Sequence, residues 1–194
     1  MISDYELAQS ALDAYIKLSG TSGSDVQYFI KETDTDVTIS VRGSEVKIVD
    51  WVTNLRMAPW YDDHCGWCHA GFVKSARDLA LDIAELKYKF NGKKIYFTGH
   101  SQGGAVAVLA AQICVERWGM DVEKVVVFGC PKPFVFGRPD YKFNVVSYVM
   151  PWDIVTKVPF GFFGVANKNI KLKGERGHKM SGYAEILKTR SVSD

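Results

Sequence analysis

The sequence predicts a mixed, mostly parallel α/β sheet flanked by helices, and three observations carry that prediction. VVVF (Val125 to Phe128) and VVSYV (Val145 to Val149) are short β-branched runs without polar alternation, the pattern of strands covered on both faces. Segments of helical period alternate with them along the chain. The length, 194 residues with 47% hydrophobic content, suits one globular unit with a filled core and is too short for two of ordinary size, so residues 1–194 are expected to form a single domain.

The elements follow in order. Tyr5, Ala8, Leu12, Tyr15 and Ile16 recur at helical spacing after Ser3 or Asp4 as a cap, so the chain opens with an amphipathic helix. Gly20 to Ser24 breaks it. VQYFI (Val26 to Ile30) and VTISV (Val37 to Val41) flank the polar turn KETDTD and read as a hairpin. Phe72, Ala76, Leu79, Ala80, Ile83, Leu86 and Phe90 mark one face of a long helix that Asn91 and Gly92 should end. IYFT (Ile95 to Thr98) is the next strand. AVAVLAAQICVERW, beginning at Ala105, is apolar nearly all round, as a helix covered on both sides would be. No internal repeat, linker or low-complexity stretch interrupts this order.

Charge and hydropathy exclude several classes of function. With 24 basic and 22 acidic residues, the net charge of +2 gives no broad footprint for nucleic acid or an anionic membrane. The N-terminal MISDYELAQSALDAY lacks a basic head followed by an apolar run, and no segment approaches the roughly 18 apolar residues of a spanning helix. The expectation is a soluble, cytoplasmic chain without a signal peptide or an integral membrane segment.

IYFTGHSQGG leaves a strand abruptly and places one hydroxyl at the corner. A sharp strand-to-helix turn needs small residues two positions either side of its centre, and Gly99 and Gly103 meet that need around Ser101. Such a turn lifts the hydroxyl above the carboxyl edge of the sheet and sets amide N–H groups at a helix N-terminus, where negative charge is stabilised. No lysine follows the glycines, as a phosphate-binding loop would require.

A serine nucleophile needs a base and an acid that orients the base. The histidines are His64, His69, His100 and His178. His100 adjoins Ser101 on the turn, so its side chain should point elsewhere, while His64 and His69 precede the nucleophile. The order serine, acid, histidine, which goes with this turn, leaves His178. The acid should lie just beyond a later strand, as Asp153 does in VVSYVMPWD; Asp140, before that strand, is the weaker candidate.

VRGSEVKIVDWVTNL, CHAGF, IYFTGHSQGGAVAVLAA, VVVFGCPKPF, VVSYVMPWDIVTKVP and GHKM together resemble the class 3 lipases, the fungal triacylglycerol lipase-like branch of the α/β-hydrolases, from about Val37 to about Tyr183. The resemblance implies a compact α/β-hydrolase fold, with Ser101 as nucleophile, Asp153 as acid and His178 as base. It implies an oxyanion hole made by the backbone N–H of Gln102, where the family most often carries leucine, and by Ser44 in VRGS. It implies hydrolysis of lipid esters at transient contact with a lipid interface, without a cofactor. A transferase or phospholipase with the same triad, or an esterase of small soluble esters, is the alternative.

Two stretches need separate readings. HCGWCH (His64 to His69) fits a redox pair, a metal cluster or the C-x-x-C-H of haem attachment. Haem attachment would require export, and a redox motif should follow a strand, whereas APWYDDH looks like a loop. The family resemblance implies a structural His69 in the H-x-G-F stretch that opens the helix, which leaves two thiols, Cys65 and Cys68, in a loop; Cys114 and Cys130 are expected to be buried and reduced. KVPFGFFGV, with Phe160, Phe162 and Phe163, is too apolar for an idle loop and is expected to line an acyl pocket together with Trp51. Trp51, Trp60 and Tyr61 bracket the segment in which the family carries its lid, so Val46 to Tyr61 is a candidate flap over Ser101.

Overall fold

The computed structural model describes residues 2–43, 58–166, 169–173 and 177–191. Helix α1 (Asp4–Asp13) starts at a capping box: Ser3 Oγ accepts from Glu6 N at 3.2 Å, and Glu6 Oε2 accepts from Ser3 N at 2.9 Å. The helix buries Leu7, Ala8 and Ala11. Tyr15 and Ile16, expected on its inner face, lie beyond its end, and Ile16 is exposed because the helix stops at Asp13.

Strands β1 (Gly20–Thr21), β2 (Gln27–Glu32) and β3 (Asp36–Val41) pair antiparallel. From β3 onward the sheet is parallel: β6 (Lys94–His100), β7 (Val122–Phe128), β8 (Asn144–Val149) and β9 (Asn169–Lys171) give the order β1-β2-β3-β6-β7-β8-β9. Both faces are covered. Val125 and Val127 of β7 join the core beneath helices α2 (Ala70–Glu85) and α3 (Gln102–Trp118). Val126 and Phe128 join the core beneath α1 and helix α4 (Met180–Ser191). The two-residue period therefore feeds opposite layers, which is why the run VVVF has no polar member. Helix α3 is buried from Gly103 to Cys114, consistent with its all-round apolarity.

Two expectations are corrected here. The long helix ends at Glu85, and a separate 3₁₀ turn, Lys87–Phe90, follows. The tighter turn returns Phe90 to the core while Lys87, Tyr88 and Lys89 stay in solvent. The stretch APWYDDH is not a plain loop: β4 (Pro59–Asp62) and β5 (Gly66–His69) form an antiparallel ribbon apart from the main sheet. Its turn is held by buried Asp62, whose Oδ1 accepts from the backbone N–H groups of His64 and Cys65 at 2.9 Å each and whose Oδ2 meets Arg77 Nε at 2.5 Å. A local side-chain bond of this kind makes a polar run a turn between strands. No helix among the described residues is long and apolar enough to cross a membrane.

The turn at the end of β6 is built on close backbone approach. A Cβ on Gly99 would lie 2.5 Å from the Gly103 carbonyl oxygen, and one on Gly103 would meet the Val41 carbonyl and lie 2.7 Å from that of Arg42. Main chain cannot step aside as a side-chain end can. Gly103→Ala is accordingly expected to lower the unfolding free energy by about 2 kcal/mol. Urea denaturation checks this, and an unchanged midpoint would mean that the turn yields.

Candidate active site

Ser101 caps α3 with φ 57° and ψ −133°, a conformation that costs on the order of 1–3 kcal/mol outside glycine. Its surroundings hold it there. Ser101 N–H donates to the Phe128 carbonyl of β7 and Gly104 N–H donates to the Ser101 carbonyl, each at 2.9 Å. Because β6 and β7 run parallel, with His100 opposite Phe128, the chain leaves both strands at the same carboxyl edge.

Asp153, beyond the end of β8, is buried and accepts from three donors: Val155 N to Oδ1 at 3.0 Å, and His178 Nδ1 at 2.7 Å and Tyr183 Oη at 2.8 Å to Oδ2. Tyr183 Oη in turn accepts from Met150 N at 3.0 Å. Burial, reinforced by the Asp153 charge, raises the Tyr183 phenol well above its ordinary value, so it stays protonated and donates to Asp153. His178 Nε2 is buried and has no hydrogen-bond partner among the described residues. The His178 ring lies 4.5 Å from that of His100, the residue before Ser101, which sets the base candidate against the turn. An imidazole tied to a carboxylate through one nitrogen, with the other unpartnered near a corner serine, is suited to taking a proton from that serine.

The other candidates fall as follows. Asp140 lies exposed in the loop before β8, in a depression shared with Arg138 and Tyr141. Gln102 is the first residue of α3, at the amino end of the helix next to Ser101. Ser44 and Trp51 lie outside the described residues, as does the flap candidate from Val46 to Met57, while Pro59 to Tyr61 belong to β4. Phe160 and Phe163 are 70% and 49% exposed and Phe162 is half-buried. A cleft of about 330 Å³ reaches Gln102 from the side of Asp25, Gln27 and Arg42.

His69 caps α2, packs against Phe72 at 4.4 Å and is buried. The two thiols are not in a loop of the kind expected. Cys65 lies in the turn of the ribbon, Cys68 lies in β5, and both are buried, Cys65 against α3 and Cys68 against the segment at Phe134. The Cys68 thiol beside it and burial together push the Cys65 thiol far up, away from a reactive thiolate. Among the described residues no group of three or more His, Cys, Asp or Glu side chains is placed to hold a metal ion.

Sequence reasoning missed Tyr183 and Tyr15. It set aside His100, whose Nδ1 lies 2.8 Å from Tyr15 Oη. No local signal marks Tyr183; its place one turn into α4 was the available clue.

The sheet order, the strand-turn-helix at Ser101 and the helices on both faces define an α/β-hydrolase fold. The family model for class 3 lipases matches residues 38–163, and the chain belongs to that family. The lipase of Rhizomucor miehei is 29% identical over 165 residues, 77% of this chain and 45% of its own length. The solved triacylglyceride lipase of R. miehei has a TM-score of 0.69 at 21% identity, covering 88% of this chain and 78% of that one. A solved triacylglycerol lipase whose catalytic centre is a serine protease triad has a TM-score of 0.64 at 23% identity, covering 82% of this chain and 66% of that one. The chain spans less than half the length of the curated relatives it matches.

Proposed function

We propose that the protein is a serine hydrolase that cleaves carboxyl esters of acylglycerol type through an acyl-enzyme. The observation that carries this reading is the buried His178, bound through Nδ1 to Asp153, without a partner at Nε2 among the described residues, and with its ring 4.5 Å from that of His100, the residue before the strained Ser101. Membership of the class 3 lipases and the triad of one solved lipase relative support it.

In this reading His178 Nε2 takes the Ser101 proton as Oγ attacks the ester carbonyl. The oxyanion of the tetrahedral intermediate faces the Gln102 N–H, with Ser44 as the second donor that the family resemblance assigns. His178 then gives the proton to the leaving alcohol. Water, deprotonated by the same imidazole, attacks the acyl-enzyme and releases the acid, restoring Ser101. Asp153 holds the Nδ1 proton throughout. The polar walls of the cleft at Gln102 suit the alcohol side of a lipid ester better than its acyl chain.

The test combines labelling with a substrate series. A fluorophosphonate should label Ser101 stoichiometrically, and p-nitrophenyl esters from acetate to palmitate should be hydrolysed with preference for the longer chains. Absence of labelling would refute the serine nucleophile. Labelling with preference for acetate would retain the nucleophile and replace the lipid ester with a small soluble one.

A further inference from the structure

His100 ends β6 and is buried, and neither the nucleophile nor the proton path uses it. Its ring is nevertheless held from two sides. The Tyr15 hydroxyl, from the turn after α1, lies 2.8 Å from Nδ1. On the other side stands the His178 ring, centroids 4.5 Å apart at 35°. Tyr183 approaches at 6.0 Å, Asp153 lies behind His178, and the Arg42 guanidinium sits 5.7 Å over the Tyr15 ring. Nε2 is buried without a hydrogen-bond partner of regular geometry. Burial first, and then the neighbouring His178, lower the His100 value to about 3, against a smaller opposing pull from the His178 main-chain carbonyl. With a phenol donating to Nδ1, the single proton belongs on Nε2.

We propose that His100 is a positioning residue for the base: a neutral imidazole, oriented by the Tyr15 hydroxyl, against which the His178 ring stands when it carries the Ser101 proton. This rests on the triad reading above. The physical reason is charge. When His178 becomes imidazolium, a neutral π face beside it is attractive, whereas a second cation at that distance would oppose the proton transfer. A fixed wall also keeps the ring from turning its Nε2 away from Oγ, and a displacement of about 1 Å in such a geometry costs on the order of a hundredfold in rate.

The experiment uses Tyr15→Phe, His100→Ala and the double variant on a soluble short-chain ester, with histidine ¹⁵N NMR. Tyr15→Phe should lower kcat about tenfold and His100→Ala about a hundredfold, both with KM unchanged. The double variant should match His100→Ala, because Tyr15 acts only through His100. In the parent, His100 should stay neutral with its proton on Nε2 from about pH 5 to about pH 9, and Tyr15→Phe should lose that fixed tautomer. Losses that multiply in the double variant, or a His100 that titrates in this range or carries its proton on Nδ1, would overturn the proposal. The NMR readout of the parent and of Tyr15→Phe stands even if His100→Ala fails to fold. Fluorophosphonate labelling of the parent separates the two levels. No labelling of Ser101 sinks the triad reading, whereas normal labelling with unchanged kcat in folded variants sinks only the role of His100.

Discussion

Ser101→Ala and His178→Ala are each expected to leave a folded protein whose ester hydrolysis falls by about a millionfold, with the double variant hardly worse than either single one. The reason is that nucleophile and base act in one proton transfer. Once Oγ is gone, His178 Nε2 has no proton to take; once the imidazole is gone, Oγ stays protonated. The two variants should differ in stability. Ser101→Ala removes no side-chain hydrogen bond to the described residues, whereas His178→Ala removes one of three donors from buried Asp153 and should cost about 1–2 kcal/mol. Single-turnover kinetics and urea denaturation check both parts. Losses that multiply, or near-normal turnover in either variant, would show that the assignment is wrong.

Asp153→Asn is expected to lower kcat/KM by about ten-thousandfold, and Asp140→Asn by less than about twofold. The hydrogen bonds around Asp153 explain why an isosteric change should be so costly. Val155 N donates to Oδ1, while His178 and Tyr183 donate to Oδ2. An asparagine amide must turn its NH₂ toward one side. Facing Val155, it opposes a backbone N–H that cannot become an acceptor. Facing His178 and Tyr183, it meets two groups that can accept, so the network settles there with the His178 proton moved to Nε2, where the ring can no longer act as a base. Asp140 has no part in this network. A larger loss in Asp140→Asn than in Asp153→Asn would reassign the acid.

The corner at Ser101 was legible because its requirements are local. Gly99 and Gly103 are needed by contacts within a few residues and with the neighbouring β3 end, and the β-formers before them mark the strand. The chain order of serine, acid and histidine pointed to His178, and the place just beyond a later strand pointed to Asp153 over Asp140, without any distance. Helix α3 was legible for a different reason: it is covered by α2 and by the sheet, and its composition records both contacts. The α1 cap was equally plain, since Ser3 and Glu6 satisfy each other three residues apart.

What tertiary structure decided lies where partners are distant in sequence or where a polar residue changes the local rule. The Asp62 carboxylate, drawn inward by two amides and Arg77, turns an apparent loop into the β4–β5 ribbon and buries Cys65 and Cys68 beneath it. Phe90 is brought to the core by a 3₁₀ turn that a helical periodicity cannot distinguish from one more turn of α2. Tyr183 meets Asp153 across 30 residues and Tyr15 meets His100 across 85. A tyrosine's neighbours along the chain do not specify which carboxylate or imidazole its hydroxyl will reach. The sequence itself determined the strand-turn-helix and the alternation that feeds two core layers, because short-range sterics and the burial of both sheet faces impose those patterns on composition. Only the assembled fold decided which donors converge on Asp153 and which ring stands behind His178, because those contacts depend on how β8, α4 and the turn after α1 come together at one edge of the sheet.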